Sequence, residues 1–280
     1  MTRWRDYRRG LGRPHTVVGP LKVLDALYSP QLHNERQLLV LLPPSYARSD
    51  QRYPVLYMHD GQNLFDQATS FAGEWQVDET MQALDREGVE SIVVGITNMG
   101  ERRVLEYTPF REPRRPSGLG QGYTEFLVET VKPRVDHDFH TLTDRTHTGV
   151  MGSSLGGLIS LYAFFRYPEV FGLVGAFSPA IFGRVPEVFA FVRAAPFAPG
   201  RIYMDVGSRE AHSGKRETHR MQQDSEKYVE TVRAMRDLLV EKGYRPGAEL
   251  MYVEDEGARH HESAWARRLP NALRFLLRER

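Results

Sequence analysis

A serine enclosed by glycines lies near the middle of the chain. Residues 152–156 read Gly-Ser-Ser-Leu-Gly, which fits the G-x-S-x-G pattern of a nucleophile elbow with Ser154 as the reactive residue. An apolar stretch over 148–151 precedes the pattern as a strand would, and 155–165 follows it as a buried helix would. Small residues around Ser154 allow the strand and the helix to approach closely. The pattern predicts a nucleophilic serine at a helix N-terminus, where the backbone N–H of Leu155 would stabilise a negatively charged oxygen.

A serine nucleophile of this kind needs an acid and a base, which follow it along the chain in the order acid, then histidine. A strand predicted over 201–206 runs into a loop that contains Glu210, and a strand predicted over 249–253 runs into a loop that contains His260. His260 is predicted to be the general base, which takes the proton from Ser154 and returns it to the leaving group. Glu210 is predicted to orient the imidazole and to stabilise its charged form.

Each of these assignments has an alternative. Asp205 lies close to Glu210 in the sequence and competes with it as the acid, although its place inside the predicted strand suits a structural role. Glu210 could instead form a surface ion pair with a neighbouring arginine such as Arg209. His260 and the adjacent His261 could be solvated or capping residues at the start of a helix. The order and placement of the two loops favour Glu210 and His260.

A polar loop after an early strand is the expected source of a second oxyanion donor. The apolar run 53–58 is typical of a strand buried on both faces, and it ends in the polar loop 59–63. Ligands bind at this end of the strands in open α/β sheets. We therefore predict that the backbone N–H of Gln62 completes the oxyanion hole. If Asp60 and Gly61 form no more than a turn, that turn would supply the donor as well.

One long stretch, 98–122, has no helical or strand periodicity and is rich in arginine, proline and glycine. Loops of this length inside a domain are usually functional or disordered. On a functional interpretation, it recognises an anionic or aromatic acyl group through Arg102, Arg103 and Tyr107. Asp60, in the loop described above, is a further candidate for substrate contact. The alternative is a solvated loop held by salt bridges, which we favour because arginine clusters are common on protein surfaces.

Composition excludes several classes of function. The chain has 280 residues, 41% of them hydrophobic, and a formal net charge of +1, which gives no indication of a nucleic-acid partner. Without cysteine it has no disulfide, thiol nucleophile or cysteine-ligated metal site. The residues around His260 lack the spacing of a zinc site, so we expect no metal and no other cofactor. The sequence shows neither a signal peptide nor a membrane span, so we expect a cytoplasmic protein with a small-molecule substrate and no membrane partner.

Strands and helices alternate along the chain after a β-rich start. Helical spacing is clearest over 75–84, 123–135 and 221–242, and each of these segments is separated from the next by a predicted strand. This alternation favours a mostly parallel central sheet with helices on both faces. No linker or repeat interrupts the pattern. We therefore predict one domain over residues 1–280 with the α/β-hydrolase fold, the architecture in which nucleophile elbows occur.

Several longer segments resemble an esterase family of α/β-hydrolases. This family includes enterochelin-esterase-like proteins, feruloyl and acetylxylan esterases, S-formylglutathione hydrolases and the antigen 85 mycolyltransferases. The resemblance extends from about Leu39 to the C-terminus and is carried by residues 57–65, 152–157, 167–172, 178–180, 257–262 and Trp265. It implies the same roles for Ser154, Glu210 and His260 that the residue pattern predicts, and it implies a second oxyanion donor from the loop around Gln62.

Together these features predict a serine esterase that hydrolyses a carboxylic ester through an acyl-enzyme intermediate. One alternative is an acyltransferase that uses the same triad with an alcohol acceptor. Another is a non-catalytic member of the fold that only binds a ligand, and the presence of Ser154, Glu210 and His260 together argues against it. The resemblance implies ester hydrolysis, but the substrates of the family are too varied to assign the acyl and alcohol groups.

Overall fold

A single sheet runs through the part of the chain that our computed structural model describes, which comprises residues 3–8, 12–110, 118–181, 185–212 and 218–278. In chain order its nine strands are β1 (Arg5–Asp6), β2 (Leu21–Ser29), β3 (Asn34–Leu41), β4 (Val55–His59), β5 (Ile92–Ile96), β6 (Thr148–Ser153), β7 (Leu173–Phe177), β8 (Arg201–Gly207) and β9 (Leu250–Asp255). Their spatial order is β1-β2-β3-β5-β4-β6-β7-β8-β9. The strands from β1 to β5 along this order pair antiparallel, and those from β5 to β9 pair parallel.

The central parallel strands are buried on both faces. Every residue of β4, β5 and β7 is buried, and their sequences are apolar runs without polar alternation. Runs of this kind occur where helices cover both sides of a parallel sheet. The predicted α/β-hydrolase architecture, with a mostly parallel central sheet between helices, is confirmed.

Helices fill two separate cores, one on each face of the sheet. They are α1 (Val77–Asp85), α2 (Arg103–Glu106), α3 (Gly120–Phe126), α4 (Lys132–Asp138), α5 (Leu155–Arg166), α6 (Val185–Ala194), α7 (His219–Glu241) and α8 (Glu262–Leu277). A π-helical turn, Leu127–Val131, joins α3 to α4. On one face α1 and α8 pack together over residues such as Phe177, and on the other face α3, α5 and α7 pack over residues such as Val174.

Four loops meet at the carboxyl ends of the parallel strands. The segment after β4 begins with Asp60, and β6 ends directly before Ser154. Glu210 follows β8, and His260 follows β9. Because parallel strands all end at the same edge of the sheet, residues more than a hundred positions apart in sequence lie in one region.

The stretch 98–122 is more regular than the sequence predicts. It contains a 3₁₀ turn, Gly100–Arg102, followed by α2, and α3 begins at Gly120 rather than at Tyr123. Gly120 presses against the preceding segment so closely that a Cβ there would lie 2.6 Å from the backbone nitrogen of Pro109. The glycines therefore serve close backbone packing. Residues 111–117, which include three of the arginines of the predicted loop, lie outside the described part of the chain.

Candidate active site

Ser154 occupies the sharp turn between β6 and α5. Its φ of 57° and ψ of −120° hold a non-glycine residue in a strained conformation. The Ser154 N–H donates to the carbonyl oxygen of Phe177 at 2.9 Å, and the Ser154 carbonyl accepts the N–H of Ala180 at 2.9 Å. Two hydrogen bonds, one to the last residue of β7 and one to the segment after it, thus fix the turn. The structure places Ser154 at the head of α5, as the G-x-S-x-G pattern predicts.

Glu210 and His260 form a short polar contact at this edge of the sheet. Glu210 Oε2 lies 2.6 Å from His260 Nδ1, although 50 residues separate the two in sequence. The other carboxylate oxygen, Oε1, accepts the N–H of Gly207 at 2.5 Å and the hydroxyl of Ser178 at 2.7 Å. The Glu210 side chain is completely buried, whereas 29% of the His260 side chain is exposed. A buried carboxylate with its acceptor sites filled therefore faces a histidine that is open to the cleft.

The hydrogen bond to Glu210 selects one tautomer of His260. An ionised carboxylate can only accept, so the proton of the neutral imidazole must lie on Nδ1, and Nε2 is left as an acceptor. The ring is held between aromatic side chains, with Trp265 edge-on at 4.9 Å and Tyr228 at 5.9 Å between ring centroids. An imidazole in this tautomer and orientation is suited to remove a proton from a hydroxyl group.

Asp205, the competing candidate for the acid, forms an ion pair with an arginine. It is fully buried in β8, and its two carboxylate oxygens accept Nε and Nη2 of Arg268 at 2.8 and 3.0 Å. The hydroxyl of Tyr203 donates to it at 2.9 Å. Burial raises the pKa of Asp205 in spite of the guanidinium. The structure thus gives Asp205 a buried ion pair and brings Glu210 to the histidine.

The second histidine of the pair, His261, begins α8. It is the N-cap residue, and its Nδ1 accepts the backbone N–H of Ser263 at 3.2 Å. A side chain that caps the first turn of a helix satisfies one of its free N–H groups. The alternative considered for both histidines therefore applies to His261.

The two predicted oxyanion donors are the backbone N–H groups of Leu155, after β6, and Gln62, after β4. Leu155 is the first residue of α5, so its N–H has no acceptor within the helix. Gln62 lies in a 3₁₀ turn, Gly61–Asn63, that follows β4, and its N–H donates to no other described residue. The Gln62 side chain is anchored, because its Oε1 accepts the N–H of Asn98 at 3.1 Å. Both Gln62 and Ser154 line the same cleft.

The predicted substrate contacts take different positions. Asp60 is buried and holds Arg103 through two hydrogen bonds of 2.6 and 2.8 Å, while Asn98 donates to it at 2.7 Å. Asp60 and Arg103 both line the cleft, but each is already paired with the other. Arg102 is exposed and does not line the cleft. Tyr107 is fully buried, and its hydroxyl accepts the N–H of Asp60 at 3.2 Å. The structure therefore corrects the expectation for Tyr107, which supports Asp60 instead of contacting substrate.

An open cleft of about 870 Å³ connects these groups. Ser154 and His260 line it together with Trp75 and Trp265, whose rings lie 5.8 Å apart. Phe71 stands at the rim with 93% of its surface exposed. The cleft can accommodate a small organic ester beside the serine.

His59, the last residue of β4, is a site residue that the sequence analysis did not single out. It is buried against the elbow, since a Cβ at Gly152 would lie 3.0 Å from its ring. Its Nδ1 lies 2.8 Å from the hydroxyl of Tyr123. Burial lowers the pKa of His59 to about 3, so the ring is neutral at physiological pH. Its position at the start of the predicted oxyanion loop, 59–63, was the only signal in the sequence.

Among the described residues, one group of side chains has metal-ligand atoms close to one another, namely Glu74, Asp78 and Glu79. None of the three lines the cleft. The described residues also include no helix with the length and apolar character that crossing a membrane requires.

Comparison with known proteins finds a matching family and a bacterial relative. A family model described as "Putative esterase" matches residues 29–276. The protein YbbA of Bacillus subtilis is 27% identical over 248 residues, which cover 86% of this chain and 92% of YbbA.

Solved structures show the same fold. The BES protein of Bacillus cereus superposes with a TM-score of 0.71 at 22% identity, over 95% of this chain and 98% of BES. An IroE-like serine hydrolase of Shewanella oneidensis superposes with a TM-score of 0.69 at 19% identity, over 92% of this chain and 80% of that protein. At such identities the likeness concerns the fold.

Proposed function

This chain belongs to that esterase family and is a carboxylic ester hydrolase, and we propose that Ser154, His260 and Glu210 are its nucleophile, base and acid. The hydrogen bond of 2.6 Å between Glu210 and His260, at the cleft that Ser154 also lines, carries the proposal. The strained turn at Ser154 supports it, because such strain is concentrated at functional sites. Asp205 is not assigned a catalytic role, since Arg268 occupies both of its oxygens.

In the first half-reaction, Ser154 Oγ attacks the carbonyl carbon of the ester while its proton passes to His260 Nε2. Glu210 stabilises the imidazolium that forms. The carbonyl oxygen becomes an oxyanion, which accepts the N–H groups of Leu155 and Gln62. The bond to the alcohol oxygen then breaks, the alcohol takes the proton from His260, and the acyl group remains on the serine.

In the second half-reaction, water replaces the alcohol. His260 takes a proton from the water as its oxygen attacks the acyl carbon, and the same two N–H groups hold the oxyanion. When the tetrahedral intermediate collapses, the bond to Ser154 Oγ breaks and His260 returns the proton to the serine. The carboxylic acid leaves and the enzyme is regenerated.

Hydrolysis of p-nitrophenyl acetate and butyrate by the wild type and by Ser154→Ala tests the proposal. We expect the substitution to lower kcat by at least about 10⁴-fold and to abolish labelling by a fluorophosphonate. Ser160→Ala is a matched control, because Ser160 is a buried serine of α5 whose hydroxyl donates to the Gly156 carbonyl at 2.7 Å. It should be labelled and should turn over substrate.

Two results would contradict the proposal. A wild type that neither hydrolyses these esters nor reacts with the fluorophosphonate would favour a ligand-binding protein. Persistent labelling of Ser154→Ala would place the nucleophile elsewhere. Addition of short alcohols to the assay distinguishes the acyltransferase alternative, since a transferase would form the transesterified product faster than the free acid.

A further inference from the structure

Ser178 is a buried residue behind the proposed acid, and none of its polar atoms is free. It follows β7 directly, has no exposed surface and adopts a φ of 40°, which is rare for a residue with a side chain. Its N–H donates to Asp205 Oδ1 at 2.9 Å, and its carbonyl oxygen accepts the hydroxyl of Tyr228 at 2.7 Å. Contacts on both sides thus hold this strained backbone in place.

The hydroxyl of Ser178 lies among three polar groups. Trp265 Nε1 lies 3.0 Å from its Oγ, Arg268 Nη2 lies 3.2 Å away, and Glu210 Oε1 lies 2.7 Å away. An indole N–H and a guanidinium N–H can only donate. Ser178 Oγ must therefore accept from Trp265 and Arg268. Its single hydrogen remains for Glu210, so the direction of every hydrogen bond at this oxygen is determined.

We propose that Ser178 is a positioning residue for the esterase reaction, because it fixes the orientation of the Glu210 carboxylate. With the hydroxyl of Ser178 and the N–H of Gly207 both donating to Oε1, the carboxylate cannot rotate without losing two hydrogen bonds. Oε2 is then held toward His260 Nδ1. This inference rests on the proposed function, in which Glu210 orients the base.

Asp205 gains a role in this arrangement. It binds Arg268 through two hydrogen bonds and the backbone N–H of Ser178 through a third, so it positions both a donor to the Ser178 hydroxyl and the residue itself. Arg268 is 5% exposed and Asp205 is not exposed at all. A buried, fully hydrogen-bonded ion pair has one geometry. Asp205, which does not contact His260, thereby helps to determine the orientation of the Glu210 carboxylate, which does.

Replacement of the hydroxyl should therefore change catalysis in a particular way. In Ser178→Ala the carboxylate keeps one donor at Oε1 and can rotate, so His260 loses its partner for part of the time. We expect kcat to fall by about 10- to 100-fold, because a buried hydrogen bond to a charged group is lost, and KM to change by less than about 2-fold. The acid limb of the pH profile of kcat/KM should move to lower pH, because the imidazolium is less well supported.

The experiment compares three variants with the wild type. Ser178→Gly also lacks the hydroxyl, but glycine tolerates a positive φ, so this variant should fold even if Ser178→Ala folds poorly. It should show the same kinetic change as Ser178→Ala. Tyr203→Phe removes one hydrogen bond to Asp205 and leaves Arg268 and Ser178 in place, so it controls for loss of stability alone. Thermal unfolding, kcat, KM and the pH profile are measured for all of them. Tyr203→Phe should lower the melting temperature without moving the pH profile.

A low-field proton NMR signal, assigned to Nδ1–H by its absence in His260→Asn, reports the Glu210–His260 hydrogen bond without any substrate. It should weaken in both Ser178 variants and persist in Tyr203→Phe. Wild-type kcat, pH profile and NMR signal in folded Ser178→Ala and Ser178→Gly would overturn the inference. A wild type that shows the signal but hydrolyses no ester would instead contradict the proposed function, and the response of the signal to Ser178→Gly would still decide the positioning role.

Discussion

Glu210→Gln tests the assignment of the acid because the two side chains have the same shape. Glutamine offers one acceptor oxygen and one donor NH₂ group in place of two acceptor oxygens. Gly207 N–H and the Ser178 hydroxyl both point at Oε1, at 2.5 and 2.7 Å, and they select the amide oxygen for that position. The NH₂ group is then left facing His260 Nδ1, where Oε2 accepts in the wild type.

The expected consequence is an exchange of tautomer. An NH₂ group that donates to His260 Nδ1 requires this nitrogen to be unprotonated, so the proton of the neutral ring moves to Nε2. Nε2 can then no longer accept the proton of Ser154. In serine proteases the matching change of aspartate to asparagine lowers kcat by about 10⁴-fold for this reason. We expect a loss of about 10³- to 10⁴-fold in kcat, or about 4 to 5.5 kcal/mol in transition-state stabilisation.

Asp205→Asn is the matched control, since it also exchanges a buried carboxylate for an amide. It leaves Arg268 without its main partner, so we expect a loss of about 3 kcal/mol in the free energy of unfolding. Its kcat should fall by no more than about 10-fold, because the effect reaches His260 only through Ser178 and Glu210. Urea unfolding and kcat for p-nitrophenyl acetate separate the two effects. A folded Glu210→Gln with nearly wild-type kcat beside an inactive, folded Asp205→Asn would refute the reasoning and assign the acid to Asp205.

Three further predictions follow from the same structure. His260→Asn should reduce kcat by about 10³-fold or more, whereas His261→Asn should retain activity within a few-fold because asparagine also caps helices. Equal losses of kcat in both variants would contradict the assignment of His260 as the base. Arg103→Ala should raise KM more than Arg102→Ala, because only Arg103 lines the cleft, and unchanged KM values for neutral and anionic esters in both variants would exclude a role in binding. Burial raises the pKa of Asp78 from 3.8 to about 8, so between these pH values the folded state binds more protons than the unfolded state, and stability falls as pH rises. Asp78→Asn should therefore raise the melting temperature at pH 8 more than at pH 5. The reverse order would show that the carboxyl is ionised in the folded protein.

Local sequence signals predicted the fold and the edge of the sheet that carries the site. The apolar run of β4 and the polar loop after it can be recognised in isolation, because burial on both faces requires a continuous apolar strand. The glycines around Ser154 indicate a strand-to-helix turn for the same local reason, which is the close approach of the two elements. The stretch 98–122 shows the limit of such signals. Its glycines suggested an irregular loop, but Gly120 begins a helix and is needed for close packing against Pro109.

The choice between neighbouring candidates depended on tertiary contacts. Sequence order allowed either Asp205 or Glu210 to serve as the acid. Two tertiary contacts distinguish them: Glu210 contacts His260, and Asp205 is paired with Arg268, 63 residues beyond it. Tyr107 was a candidate substrate contact in the sequence, and only the fold shows that it is buried and accepts the N–H of Asp60. Spacing along the chain determines which residue types lie at the carboxyl edge of the sheet. The direction of each hydrogen bond at Ser178 depends on two donors from α8, Trp265 and Arg268, and on an acceptor from β8, Asp205. These groups meet only when the sheet and its covering helices have assembled.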